Sequence, residues 1–336
     1  METVAQNSSS TQMTMLSLAV RQVRSEALGI NSYELVSTDG EALPETSAGS
    51  HLDIHLPGGL IRQYSLSGDP ADRHRYTIAV LLEANGRGGS RLLHETLQVR
   101  NVVSVSSPRN NFSLSPTARR HILVAGGIGI TPLKSMVHEL KARGEIYQLH
   151  YCAKTPDHAA FRQELEEFVS SGCVHFHYDG GVPGAGLDLV ELLKQHRSGD
   201  HLYYCGPGGF MQACANASAH WPAGTVHSEY FAAPVAQPNG AEAAAIDMAS
   251  GSFVVEIAST GARVEVPPDR SIVEVLGEAG VEVQTSCISG LCGSCKVKFL
   301  SGTVDHRDFI LSDDERETCL TTCVSRATSP VLKLDL

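Results

Sequence analysis

Cys287, Cys292 and Cys295 stand in a C-x4-C-x2-C run, and Cys323 follows after 27 further residues. No other feature narrows so far what this chain can fold into. The spacing is that of a plant-type [2Fe–2S] site. Thiolates are soft, deprotonated ligands whose charge stabilises ferric iron. Gly290 and Gly293 lie between them, where backbone N–H groups can turn toward sulfur and help set the potential. Structural zinc sites usually draw on two C-x2-C units, and within this run only Cys292 and Cys295 make such a pair. Cys319 competes for the fourth position; the gap favours Cys323 and leaves Cys319 as a buried free thiol. Such a cluster passes electrons singly, so the rest of the chain must provide a donor.

The bulk numbers bound the setting. At 336 residues the chain has room for two or three domains, each with its own core. A net charge of −11 argues against nucleic acid and against an anionic membrane surface. No apolar run approaches the roughly 18 residues a membrane span needs. Met1 to Gln12 is polar and Ser-rich, without a basic or an apolar signal region, and reads as a loose tail. Nine cysteines without export signals fit a reducing cytoplasm.

Composition and periodicity then divide the chain. After the tail (1–12), short alternating runs separated by turn signals fill 13–116, as in an antiparallel β-barrel or sandwich. From 117 to 232 the pattern becomes strand–helix alternation, predicting an α/β doubly wound sheet. HILVA (121–125) is a buried strand; Thr131 caps the following helix with Pro132 at its first position, and Gly144 stops it. Residues 233–250, rich in Ala and Pro, read as a linker. The remainder, 251–336, suits a small α+β β-grasp domain around the cysteine loop.

Four further motifs carry candidate chemistry, each with a plainer alternative. Gly126-Gly127-Ile128-Gly129-Ile130-Thr131-Pro132 joins a strand to a helix N-terminus, a setting for phosphate, or merely a structural corner. Cys205-Gly206-Pro207 ends a later strand at the same crevice; alone it reads equally as a buried thiol before a helix. Arg62, Tyr64 and Ser65 occupy an extended RQYSL segment, Arg62 and Tyr64 on one face and Ser65 on the other, able to hold an anion and an aromatic ring system; alone it reads better as a barrel strand with one exposed Arg. Gly86-Arg87-Gly88-Gly89-Ser90 precedes a short helix and suits a phosphate monoester, or is a hairpin loop. The 15 histidines read as satisfied or exposed.

In this order, RQYSL, GRGGS, AGGIGITP, CGP and the cysteine run are far more specific than any one alone, and HWPAGTVHSEYF and CVSRA add to them. The chain resembles the phthalate dioxygenase reductases, a family that includes the vanillate O-demethylase reductases, from about Met15 to Leu336. The resemblance implies an FMN-binding barrel, an NAD-binding α/β domain and a C-terminal ferredoxin domain. It places Arg62, Tyr64 and Ser65 along the flavin, Ser65 near N5, and Gly86 to Ser90 on the FMN phosphate. It places Gly127, Gly129, Thr131 and Cys205 on NADH, with Gly206 and Pro207 beside them, and Phe231 or its neighbour Tyr230 stacking near the flavin. Ser65 and Cys205 become the catalytic candidates, and Cys287, Cys292, Cys295 and Cys323 the cluster ligands. The implied function is electron transfer from NADH through FMN and the cluster to a Rieske-type oxygenase or O-demethylase, by a cytoplasmic monomer. Lys154 keeps NADPH open as donor. A redox-sensing protein and a self-sufficient ferric or quinone reductase are the competing readings. The C-terminal domain carries 13 acidic and 8 basic residues, and Asp313-Asp314-Glu315 is an expected docking face.

Overall fold

The computed structural model describes residues 14–84, 86, 88–182, 184–231 and 251–336. The expected tail (1–12), Arg87 and the expected linker (233–250) lie outside these residues.

Alternating apolar side chains build the first sheet from β1 (Met15–Ala27), β2 (Ile30–Ser37), β3 (Ser50–Leu56), β4 (Leu60–Ser65), β5 (Tyr76–Leu81), β6 (Val102–Ser106) and the short β7 (Arg109–Asn110). They pair in the order β4-β3-β6-β1-β2-β5, with β7 on β3. An antiparallel bridge from Leu66 to Ile78 joins the two ends into a barrel. Leu18, Val20, Tyr33, Leu35, Leu52, Ile54 and Ile78 belong to its buried core. Helix α1 (Gly89–Thr96) seats Leu93 in that core.

Next comes a parallel sheet in the order β10-β9-β8-β11-β12: β8 (Arg120–Gly126), β9 (Ile146–Ala153), β10 (Val174–Tyr178), β11 (Asp200–Cys205) and β12 (Val226–Glu229). Helix α2 (Ile130–Arg143) follows β8 and ends on Gly144 at φ 66°. Short helices α3 (Arg162–Leu165) and α4 (Leu189–Leu193) and the longer α5 (Gly208–Ser218) complete this part. Thr131 does not cap α2. A 3-10 turn at Gly127–Gly129 leads straight into the helix, and the Thr131 hydroxyl donates to the Ile128 carbonyl inside that turn. Pro132 therefore sits at the third helical residue, where no N–H partner is required.

The barrel and this sheet share one core. Ile30, Ala48, Ala79 and Phe112 of the barrel pack with Leu133, Met136 and Tyr203 of the sheet layer. Lys134 on α2, only 4% exposed, donates to the Ser67 carbonyl at 3.0 Å and pairs with Glu164 at 2.8 Å.

The last unit is a separate mixed sheet, order β14-β13-β19-β15-β17: β13 (Phe253–Ile257), β14 (Arg263–Val266), β15 (Lys296–Ser301), β17 (Cys319–Thr321) and β19 (Val331–Leu334). A small ribbon of β16 (Val304–Asp305) and β18 (Arg326–Ala327) flanks it. Helix α6 (Ile272–Glu278) begins with a capping box between Ser271 and Glu274 and packs Ile272 and Leu276 under the sheet. Helix α7 (Asp313–Arg316) carries the acidic triplet.

Candidate functional site

The cysteine loop brings four sulfurs together as two pairs. The Cys287 thiol hydrogen-bonds Cys292, and the Cys323 thiol hydrogen-bonds Cys295. The Cys287 contact pulls the Cys292 thiol down. Backbone N–H groups already point at sulfur: Leu291 N donates to Cys287 at 3.3 Å and Ser294 N to Cys292 at 3.4 Å. Among the described residues no three His, Cys, Asp or Glu side chains converge as one mononuclear ion would require. Two facing thiol pairs with N–H donors are the ligand set of a two-iron cluster, so the residues fit that group. Cys319 sits on β17, its sulfur 3.7 Å from the Thr318 hydroxyl, and Cys323 rather than Cys319 stands beside Cys295.

A cavity of about 850 Å³, partly open to solvent, lies where the three units meet. It is lined by His51, Arg62 and Ser65 from the barrel, Glu229 and Phe231 after β11, and Cys287 from the cysteine loop. A second cavity of about 750 Å³ continues past Tyr64 to Gly89, Ser90 and Thr131, with Phe231 again on its wall. Arg62 and Ser65 both line both cavities, although alternation puts them on opposite faces of β4. The strand ends there at the rim of the barrel, where cavity surrounds it on more than one side.

At the far end of the second cavity Gly88, at φ 81°, caps α1. Arg62 lies across the helix start so closely that a Cβ on Gly89 would be 2.4 Å from its Nε. The Ser90 hydroxyl accepts from Glu83 N at 3.1 Å and closes the turn that contains Gly86. A helix N-terminus with a guanidinium laid over it suits a phosphate monoester, so this end fits the phosphate of a flavin mononucleotide. Burial raises the Tyr64 phenol, which stays protonated on the cavity wall.

The two nucleotide loops pack backbone to backbone. A Cβ on Gly129 would lie 2.1 Å from the Cys205 carbonyl oxygen, so only glycine permits this approach. Gly127 takes φ 54° at the turn. Gly206 and Pro207 lead from β11 into α5, with Pro207 in the capping position. Cys205 is fully buried; burial and the nearby Glu229 push its thiol well up, and it lines neither cavity. Tyr230 turns to the cluster domain, its ring 5.8 Å from that of Phe309, while Phe231, 43% exposed, stays on the cavity wall.

Two polar residues at this junction escaped the sequence reading. The Ser65 hydroxyl donates to Glu229 Oε2 at 3.1 Å across the boundary between barrel and sheet. Burial drives the Glu229 carboxyl up to about 8, against the pull of that hydrogen bond. His51 is the neighbour of Ser65 across β3 and β4, and its Nδ1 lies 3.8 Å from Glu229 Oε1. Burial, aided by Arg109, holds His51 down to about 4, and neither ring nitrogen has a hydrogen-bond partner. A carboxyl raised and an imidazole lowered are both neutral at pH 7, so this is a polar contact rather than an ion pair. His51 is thus neither exposed nor satisfied, contrary to the expectation for the histidines. The HSEYF stretch held the signal for Glu229, but nothing local marked its partner 164 positions away.

Comparison with known proteins gives the class. The profile of the 2Fe-2S iron-sulfur cluster binding domain matches residues 255–328, and that of the oxidoreductase NAD-binding domain matches 123–216. Fold and site define a pyridine-nucleotide-dependent, iron–sulfur electron-transfer oxidoreductase. The chain is 52% identical over 325 residues, 96% of each chain, to the tert-butanol monooxygenase / tert-amyl alcohol desaturase reductase subunit of Aquincola tertiaricarbonis. It is 43% identical to the vanillate O-demethylase oxidoreductase of Pseudomonas sp. (strain HR199 / DSM 7063), covering 96% of this chain and all of that one. The solved phthalate dioxygenase reductase superposes with a TM-score of 0.71 at 40% identity, covering 96% of this chain and 98% of that one. The chain belongs to the phthalate dioxygenase reductase family. Its cofactors are those of the family, NADH, FMN and a [2Fe–2S] cluster. Among the described residues no helix is long and apolar enough to cross a membrane.

Proposed function

We propose that this protein is the NADH-oxidising partner of a Rieske-type oxygenase or O-demethylase, working as a cytoplasmic monomer. The observation that carries the proposal is the cavity on which barrel, nucleotide sheet and cysteine loop all converge, because groups bound on those three walls would lie close enough to relay electrons. When bound there, the flavin accepts two electrons together and passes them on singly.

The chain's own residues do the rest. Arg62, Gly86 and Gly88 to Ser90 hold the phosphate end, and Arg87, next to them in sequence, is assigned the same task. Gly127, Gly129, Thr131, Gly206 and Pro207 shape the nucleotide crevice, and Cys205 fixes its floor as a neutral thiol. Phe231, on the wall of both cavities, would cover the ring system. Ser65 orients the reacting edge, and Glu229, neutral at pH 7, keeps a proton on its carboxyl beside that hydroxyl. Cys287, Cys292, Cys295 and Cys323 would hold the cluster, presenting their thiols as the pairs Cys287–Cys292 and Cys295–Cys323. The acidic face at Asp313 and Asp314 meets a basic patch on the oxygenase, whereas Glu315 is already bound to Lys296 at 2.9 Å.

The relatives reported above are reductase components, which favours this reading over a redox sensor or a self-sufficient reductase. Reconstitution tests it. With NADH and purified Rieske-type oxygenases, the chain should support substrate turnover by at least one. NADH consumption with no transfer of electrons to any of them would contradict the proposal.

A further inference from the structure

The cluster domain has a core of its own, to which no described residue before Phe253 contributes. Something else must hold its cysteine loop over the cavity, and two contacts stand out. The Asn111 side-chain amide donates to the Cys292 carbonyl at 3.2 Å. The Tyr230 ring meets Phe309, whose own N–H donates to the Gly290 carbonyl at 3.0 Å. Each contact reaches a different thiol pair. Cys292 belongs to the first, and the Gly290 backbone hydrogen-bonds the sulfur of Cys323 in the second.

Asn111 stands on a rigid platform. Asn110 before it donates to the Ser47 hydroxyl and the Ala48 carbonyl at 2.7 and 2.8 Å and accepts from Phe112 N at 2.9 Å. Phe112 after it is buried in the core shared by barrel and nucleotide sheet. Gly49 packs so tightly beneath that a Cβ there would lie 2.0 Å from the Phe112 carbonyl oxygen. The platform that fixes Asn111 is therefore the same body that carries the flavin cavity, and Asn111 lines the cavity on the cluster side.

We propose that Asn111 is a positioning residue for the flavin-to-cluster step: with the Tyr230–Phe309 ring pair as its second point, it clamps the cysteine loop against the flavin cavity. Its hydrogen bond goes to the backbone carbonyl of Cys292, so it acts on the cysteine loop through that peptide. The proposal rests on the reading of the cavity as the flavin site. It separates two steps that share a cavity, because loosening the clamp moves the acceptor and leaves the donor side in place.

The test uses the loaded full-length protein and the variants Asn111→Ala and Phe309→Ala. Anaerobic stopped-flow mixing with NADH records flavin bleaching and cluster reduction at separate wavelengths. The ratio of the second rate to the first should fall in each variant by roughly fivefold, the weight of one ordinary hydrogen bond on a docked population. Hydrogen exchange of the amides in residues 288–295 should rise in both, while exchange across β8, β9 and β11 stays as in the parent. Unchanged rate ratio and unchanged loop exchange in both variants would overturn the clamp. Failure of the underlying reading would look different, since the parent protein itself would then show no cluster reduction after its flavin is bleached.

Discussion

The two halves of this reductase are joined to each other in different ways. Barrel and nucleotide sheet share a hydrophobic core in which Ala79 and Phe112 lie with Leu133 and Tyr203, and a buried Lys134 bonded to Ser67 and Glu164 seals it. Among the described residues the cluster domain keeps a separate core, and its contacts with that body include the Asn111 amide, the Tyr230–Phe309 ring pair and a shared cavity wall. Hydride transfer demands near-contact geometry, and a shared hydrophobic core suits it. Electron transfer out of the cluster needs a face that a partner can reach, which a lightly attached domain leaves open. Its cysteine loop has little regular structure of its own, so a bound cluster would also order that loop.

The sharpest way to break this contrast is to remove a sulfur. Cys323→Ser should lose the cluster altogether, seen as loss of bound iron and sulfide with flavin retained. Cys319→Ser should keep both cofactors. A smaller but still large effect is expected in the sealed half. Gly129→Val forces side-chain atoms against the Cys205 carbonyl and should cost about 1–3 kcal/mol of stability, read by thermal unfolding, with NADH binding weakened in the same variant.

Glu229→Gln should slow NADH-driven flavin reduction on the order of tenfold or more while sparing cluster content. The sign of the pH effect follows from the raised carboxyl. Its folded value of about 8 stands above the ordinary 4.5, so its neutral form is the one the fold prefers. Stability from this group is full below 4.5 and is lost as pH rises through 8. The parent rate should therefore fall above about pH 8, and the Gln variant should show no such limb. A Gln variant that keeps the limb would remove Glu229 from the account. The smallest effect is expected outside. Asp313→Lys with Asp314→Lys should change electron delivery to the oxygenase a few-fold at low salt, fading as salt screens the contact. An unchanged salt dependence would end the acidic-face proposal.

Much of this architecture was legible from local pattern. Alternation marked the antiparallel sheet of the first part, and the helix pattern ending at Gly144 marked α2. The cysteine spacing marked the loop and singled out Cys323, the thiol now found beside Cys295. The errors and omissions have physical reasons. Thr131 looked like a cap because Thr before Pro is a common helix start, but the 3-10 turn satisfies those groups with backbone. Glu229 and His51 were passed over because their significance arises between domains, where no periodicity points. Asn111 is an unremarkable loop residue until the fold brings Cys292, 181 positions later, to its amide.

The central claim is that nucleotide, flavin and iron–sulfur sites form one chain of electron transfer within this polypeptide. Anaerobic titration of the loaded protein with NADH, followed by absorption and by electron paramagnetic resonance, tests it most directly. The account predicts that the flavin absorption bleaches and the cluster becomes paramagnetic in the same titration. Bleaching with a cluster that stays oxidised and silent would contradict it.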